Sequence, residues 1–278
     1  MGRSRRRNLI HDPRAARGLS KMIYSPLVTS ERRLTLREML PDDLSVLQGE
    51  GPSVEGPLCA PAGMVVLDYG AGDSSLREMV ESHGHSYFGI DPYSESTQLR
   101  GTGEALPFRA DSFDIVISNA VFEHLLDPVV GVGEIARVLK DGGMLTGYAA
   151  YLENFHEISY HHLSHKALEY LFSTNGMQLL RLKASASSFD YQLATLLLPV
   201  GRPVSLVRLF RRSIHHIVRF IMKAQAGAAA LKHHRLSDET GADYRLRLDL
   251  LELKFAAGYD FLARKGPSLN DEAIPVTL

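Results

Sequence analysis

Three features of the sequence predict an α/β fold built on a doubly wound sheet. Short apolar runs that read as strands alternate with segments of helical period from Val65 to about Leu182, the pattern of parallel strands covered on both faces. The first run, Met64-Val65-Val66-Leu67, ends in Asp68 and turns through Gly70-Ala71-Gly72 before Leu76, Met79 and Val80 take helical spacing. A second run, His85 to Ile90, ends in Asp91, about twenty positions after the turn, where a carboxylate reaches both hydroxyls of a ribose.

Taken in order, the chain opens with Arg3, Arg5, Arg6, Arg7, Arg14 and Arg17, a basic tail. Ser30 to Leu34 starts a helix, Thr35 and Glu38 have capping-box spacing, and Pro41 ends it. Gly49 to Gly63, with three prolines and four glycines, reads as a linker. Residues 1–62 are thus tail, N-terminal helical cover and linker. Strands are expected near 64–68, 86–90, 114–118, 143–149 and 177–184, and helices near 74–83, 130–140 and 165–175. The strand-turn-helix at Asp68–Leu76 is expected to leave backbone N–H groups unpaired and facing outward. Its glycines let a ligand approach the main chain without meeting a Cβ. Ser164 is the expected cap of a helix whose stripe is Leu168, Leu171 and Phe172, and Gly176 closes it.

Residues 186–254 read as a helical insertion serving as lid, acceptor-binding element or oligomerisation surface. Val207, Phe210, Ile214, Ile217 and Ile221 recur at three- and four-residue steps, with Arg208, Arg211, Arg212, His215 and Arg219 on the other side. No acid occurs from Tyr191 to Ser237. Such a helix suits an anionic membrane or a phosphate-bearing substrate; a lid or dimer helix with a solvated basic face is the plainer expectation.

Composition bounds the function. The 278 residues suit one α/β domain with additions, and a net charge of −1 gives no global pull toward nucleic acid. The single cysteine, Cys59, excludes an internal disulfide and fits a cytoplasmic protein. Leu193 to Val200, the longest apolar run, is too short to span a membrane, and no signal-peptide core follows the Arg-rich start.

Further motifs follow in order: Gly103-Glu104-Ala105-Leu106-Pro107-Phe108, Ser112 through Asn119-Ala120-Val121-Phe122-Glu123-His124, Asp127-Pro128, and Glu134 through Gly143. From Val65 to Leu182 this order resembles the class I S-adenosylmethionine-dependent methyltransferases, in particular the UbiE-like, type 11 small-molecule branch. The resemblance implies a seven-stranded, mostly parallel Rossmann-like sheet, with residues 63–185 and 255–265 as its core. Phe255 to Lys265 resembles the final strand, delayed by the insertion. S-adenosyl-L-methionine is then the cofactor and S-adenosyl-L-homocysteine the product. Gly70, Ala71 and Gly72 would pass its methionine part, with Asp68 near the ammonium group. Asp91 and Pro92 would meet the ribose, Glu104 and Ala105 the adenine, and Asn119 and Ala120 the amino-acid moiety. Three departures stand out. Only twelve residues separate Asp91 from Glu104, where the family has a helix and a strand. Thr102 stands where an acid often faces the adenine amino group, and Ser74 where many members carry glycine.

The implied reaction is methyl transfer to an O, N or C atom of a small metabolite, whether a sugar, a lipid-linked or a secondary-metabolite acceptor. An RNA or protein methyltransferase and a non-catalytic cofactor-binding subunit are the alternatives. Against nucleic acid, no RNA-binding module is recognisable and Asn119-Ala120-Val121-Phe122 lacks the Asn/Asp-Pro-Pro-aromatic signature of base methylases. An alcohol or phenol acceptor needs a general base. His156, in the loop above the crevice, is the favoured candidate, and His124 the second, although the family carries Glu123-His124 whatever its substrate. Tyr151, His161 and His162 are candidate acceptor contacts. His161 and His165 have i,i+4 spacing, but Ser164 as cap leaves His161 outside the helix, so no metal is expected. Peripheral membrane contact through the insertion and homo-oligomerisation are the partner expectations beyond the acceptor.

Overall fold

The computed structural model describes residues 39–48, 52, 54–153, 158–185, 188, 192, 213, 215–228 and 240–266. The basic tail, Tyr24, the helix expected from Ser30, His156 and most of the insertion's first half lie outside the described residues. The chain divides into Met1–Met39 and Leu40–Leu278, and the elements below belong to the second unit.

Those elements are β1 (Val65–Tyr69), α1 (Arg77–Ser82), β2 (Ser86–Ile90), β3 (Phe113–Asn119), α2 (Pro128–Val138), β4 (Leu139–Ala150), α3 (His165–Thr174), β5 (Met177–Ala184), α4 (Thr240–Lys254) and β6 (Gly258–Lys265). The sheet order is β2-β1-β3-β4-β6-β5. Neighbours are parallel from β2 through β4, and β6 runs antiparallel to both β4 and β5. The doubly wound, mostly parallel sheet is therefore present, with six strands among the described residues rather than seven. The residues after Asp91 are too few for a helix and a strand. What remains is one parallel bridge, Leu99 to Ile90, on the outer edge of β2.

Local chemistry explains the helix limits. Asp127 caps α2 by accepting from the Val129 and Val130 N–H groups at 3.0 and 3.2 Å, and Pro128 occupies the first turn, where its missing N–H does no harm. Ser164 caps α3 through the Ala167 N–H at 3.3 Å, which leaves His161 outside the helix as expected. The first helix starts at Arg77 rather than near residue 74, because Ser74 sits at φ 60° and so cannot join a right-handed turn.

Each face of the sheet carries a core. On the α1 face Leu58, Val66, Val80, Tyr87, Ile115 and Ile117 pack together. On the other, Phe122, Phe172 and Phe261 form an aromatic cluster with ring centroids 5.2–6.3 Å apart. The expected linker is more than a tether: Leu58 is fully buried in the first core, and buried His85 fixes it there. His85 Nδ1 accepts from the Met64 N–H at 3.3 Å, so its Nε2–H donates to the Leu58 carbonyl at 2.9 Å. The described part of the N-terminal cover packs elsewhere than over the β1–β3 end. Leu40, Val46 and Leu47 are buried, the 3₁₀ turn Leu44–Leu47 lies on β5, and the Asp42 N–H bonds Glu169 on α3 at 2.7 Å.

The insertion leaves β5 and returns to β6 at one edge of the sheet, where the Ser185 N–H bonds the Gly258 carbonyl at 3.0 Å. Its helical residues 215–228 pack on α4 through Val218, Met222 and Ala226 against Tyr244, Leu248, Leu251 and Phe255. The packed stripe is therefore not the Ile217 and Ile221 stripe that sequence periodicity singles out.

Leu58→Ala is expected to lower the unfolding free energy by about 2–4 kcal/mol with an unchanged denaturant slope. A loss below about 0.5 kcal/mol would show residues 54–60 to be a passive connector after all.

Candidate functional site

The strand order reverses between β1 and β3, and a cleft of about 840 Å³ opens there, at the carboxyl ends of the first three strands. Tyr69, Gly70 and Gly72 supply its floor, Asp91, Pro92 and Tyr93 one side, Gly101 to Glu104 another, and Ala120, Val121 and His124 the third. Leu126, Ile158 and Tyr160 complete its rim. A second cavity, between β5 and helical residues 215–228, is only about 90 Å³ and too small for a nucleoside.

The turn after β1 is knitted to the end of β2. Gly70 and Ala71 both donate N–H bonds to the Ile90 carbonyl, at 2.9 and 3.0 Å. Gly72 donates to Asp91 Oδ2 at 3.1 Å, and Ser75 to Asp73 Oδ1 at 3.1 Å. The expected row of outward, unpaired N–H groups is thus corrected: those donors are consumed locally, because the acid and carbonyl ending β2 lie within reach. What the turn offers instead is bare main chain. Gly70 has φ 76° and faces Val121 so closely that any Cβ would run into that side chain.

Asp91 lines the cleft with both oxygens engaged. Oδ1 accepts from the Tyr93 and Ser94 N–H groups at 2.8 and 2.9 Å, and Oδ2 from Gly72. A carboxylate has about four acceptor positions, so one on Oδ2 remains for a ligand hydroxyl. Glu104 also lines the cleft, and its Oε1 accepts from the Leu126 N–H at 3.0 Å. Thr102 lies beside it. Ala120 holds φ 57° at the cleft wall, a left-handed conformation that an L-residue adopts at a cost of about 1 kcal/mol.

Other expected residues do not face the cleft. Asp68 is 2% exposed, on the α1 face of β1, and its Oδ2 accepts from the Tyr87 hydroxyl at 2.8 Å. It does not line the cleft. Ala71, Ala105 and Asn119 lie next to the lining without joining it. Tyr151 stacks on Tyr259 with centroids 5.5 Å apart. His161 Nε2 lies 3.2 Å from the Leu126 carbonyl and His162 Nδ1 2.8 Å from the Tyr151 carbonyl, two separate sites. His124 does reach the cleft. Its Nδ1 lies 2.8 Å from the Ile158 carbonyl, an arrangement in which Nδ1–H donates.

Several residues escape sequence reasoning. Tyr69 is buried under the cleft, its hydroxyl among the buried side-chain atoms with no hydrogen-bond partner. That hydroxyl occupies the space a side chain at Gly103 would need and abuts Gly131, which explains glycine at both positions. Burial, with Glu104 and Glu134 nearby, pushes its ionisation far up, so it is a neutral donor. Glu134 and Arg137 clamp the segment behind Glu104. Arg137 binds Glu134 through two bonds of 2.7 Å, its Nη1 and Nη2 reach the Phe108 and Leu106 carbonyls, and Glu134 accepts the Leu106 N–H at 2.8 Å. The guanidinium holds the Glu134 carboxyl below its ordinary range. The i,i+3 spacing of this pair is its one signal in the sequence.

A doubly wound domain with a bare turn, a β2-terminal acid and a cleft at the switch point defines a nucleoside-binding protein of the Rossmann-like kind. Residues 67–146 match the family described as the methyltransferase domain. The chain is 31% identical over 117 residues to an uncharacterized methyltransferase of Mycolicibacterium vanbaalenii, a match that covers 36% of this chain and 46% of the relative. Over 118 residues it is 31% identical to an uncharacterized methyltransferase of Mycobacterium tuberculosis, covering 37% and 46%. The chain thus spans about half the length of the curated relatives it matches. Among solved structures, a putative sarcosine dimethylglycine methyltransferase from Galdieria sulphuraria aligns with 76% of this chain and 81% of its own, at 16% identity and a TM-score of 0.48.

Asp68 gives the site a pH signature. Burial pushes its ionisation up to about 6, the Tyr87 hydrogen bond works against this, and Asp73 and Asp91 add repulsion. The folded state therefore keeps a proton that the unfolded chain releases near pH 4, and the stability contributed by Asp68 falls as pH rises from about 4 to 6, by about 3 kcal/mol. Asp68→Asn, always neutral, is expected to match the parent's unfolding free energy at pH 4 and exceed it by about 2–3 kcal/mol at pH 7. Equal values at both pH values would remove the burial argument.

Proposed function

We propose that this protein transfers a methyl group from S-adenosyl-L-methionine to a small acceptor with an apolar part. The observation that carries the proposal is the union, across the switch point, of a side-chain-free turn with an acid holding one unused acceptor position. The residues present fit the cofactor. Asp91 Oδ2 takes a ribose hydroxyl, Gly70 and Gly72 admit the flat of the ligand, and Thr102 and Glu104 border a base-sized space. The partnerless Tyr69 hydroxyl beside Gly103 is a donor waiting for an acceptor atom.

The bound cofactor supplies a methyl carbon already activated by a sulfonium. This chain's task is then to align an acceptor with that carbon and exclude water. The segment 158–161 builds one wall by donating the Tyr160 and His161 N–H groups to the Glu123 carbonyl, at 2.7 and 3.2 Å. His124, whose Nδ1–H donates to the Ile158 carbonyl at the cleft, is the side chain placed to serve as base toward an acceptor hydroxyl. The acceptor's apolar part is supported by the rim, where Tyr93, Leu126, Ile158 and Tyr160 are 90%, 73%, 75% and 58% exposed.

Calorimetry with S-adenosyl-L-methionine is expected to show that Asp91→Ala loses cofactor affinity by about a hundredfold; an undiminished affinity removes the assignment. Radiolabelled cofactor incubated with cell extract is expected to label the lipid-extractable small-molecule fraction. Label in RNA or protein would overturn the acceptor class. With the acceptor in hand, His124→Gln should lower turnover about a hundredfold while cofactor affinity is kept, and equal turnover would exclude His124 as the base.

A further inference from the structure

Helical residues 215–228 are apolar on two opposite faces. One face, Val218, Met222 and Ala226, is buried against α4. The opposite face presents Ile217, Phe220 and Ile221, which are 59%, 72% and 56% exposed, with exposed Ala224 between them. Three large side chains at i, i+3 and i+4 form a contiguous exposed stripe, not a scatter of single residues.

The charge pattern says what covers the stripe. From Tyr191 to Ser237 the chain holds eight Lys and Arg and no Asp or Glu, while the other 23 Lys and Arg share the rest of the chain with all 32 Asp and Glu. On the described helix, exposed Lys223 flanks the apolar stripe on one side, and Arg219 beside it reaches Glu252 of α4 at 3.2 Å. Apolar side chains beside cations, with no acid, are the makeup of a helix lying in the headgroup region of an anionic bilayer. A second copy of the chain is a poorer fit, since a two-fold interface through this helix would bring two such cationic segments together.

We infer that the exposed face of helical residues 215–228 docks the protein onto an anionic lipid surface. Ile217, Phe220 and Ile221 enter the acyl boundary, and Lys223 meets the phosphates. No described helix is long and apolar enough to cross a membrane, so the contact is peripheral. The helix reaches the carboxyl end of β5, lining a cavity there with Ala184 and Ser185, and the cleft opens at the carboxyl ends of β1 to β3. Docking therefore brings the carboxyl side of the sheet toward the lipid. The inference goes beyond methyl transfer and stands independently of it.

The full chain is tested by co-sedimentation with vesicles of phosphatidylcholine alone and of phosphatidylcholine with about one-third phosphatidylglycerol. Binding is expected to the second only, to weaken strongly in high salt, and to fall about tenfold or more in the double variant Ile217→Ser, Phe220→Ser. Its thermal midpoint should stay unchanged, because both positions are exposed. Binding to neither vesicle, equal binding to both, or full binding by the variant overturns the inference. So does a thermal midpoint several degrees lower in the variant, which would mean that the chain itself covers the stripe, or a dimer that the variant abolishes without vesicle binding. Asp91→Ala should bind the anionic vesicles normally, so failure at the cofactor and failure at the membrane are read separately.

Discussion

The site depends on one tie between neighbouring strands. The Ile90 carbonyl receives two N–H groups from the turn after β1, and the next residue, Asp91, receives a third. A parallel pair of strands leaves the groups at its carboxyl end without ladder partners, and here those groups are spent on each other. The turn is therefore rigid before any ligand arrives, and Asp91 is aimed by the same bonds that close the turn. Preorganisation of this kind reduces the ordering that binding would otherwise require.

The rigidity has local costs that the surrounding packing offsets. Ser74 and Ala120 both hold left-handed backbone conformations, at φ 60° and 57°, each on one side of the cleft region. Ser74 recovers a hydrogen bond, from its hydroxyl to the Ser96 carbonyl at 3.1 Å, which ties the turn to the loop that follows Asp91. Asp68 is buried with a single side-chain donor, Tyr87. Strain and a buried acid gathered around one cleft are what a binding site looks like when stability has been given up for shape.

Much of this was legible in the sequence, and the failures share a cause. The strand positions, the cap at Ser164, the Gly70–Gly72 turn and Asp91 all announce themselves through short-range rules of period, capping and turn chemistry. The shortness of the stretch after Asp91 was also visible, although the resemblance still implied seven strands where six are present among the described residues. What stayed hidden depends on contacts between residues distant in the chain. Nothing near Tyr69 reveals that its hydroxyl fills the space beside Gly103 and Gly131, and nothing near Leu58 reveals that a segment rich in proline and glycine docks in the core. The orientation of Asp68 follows from strand parity: it shares the α1 face with Val66, so it cannot line a cleft floored by Tyr69. Period alone likewise could not say which of two apolar stripes on residues 215–228 meets α4, because both are apolar.

The missing strand and the insertion act on the same end of the molecule. Among the described residues only the Leu99 bridge lies outside β2, and Tyr93 stands 90% exposed at the cleft rim. An open, apolar rim in water is a liability unless something apolar meets it. The chain has placed its helical insertion between β5 and β6, both of whose connecting ends lie on that same carboxyl side. Sheet topology thus puts the exposed rim and the roots of the insertion on one side of the sheet. The parallel run from β2 to β4, with β6 antiparallel to both β4 and β5, is what sets the ends of the insertion and the mouth of the cleft on the same side of the sheet.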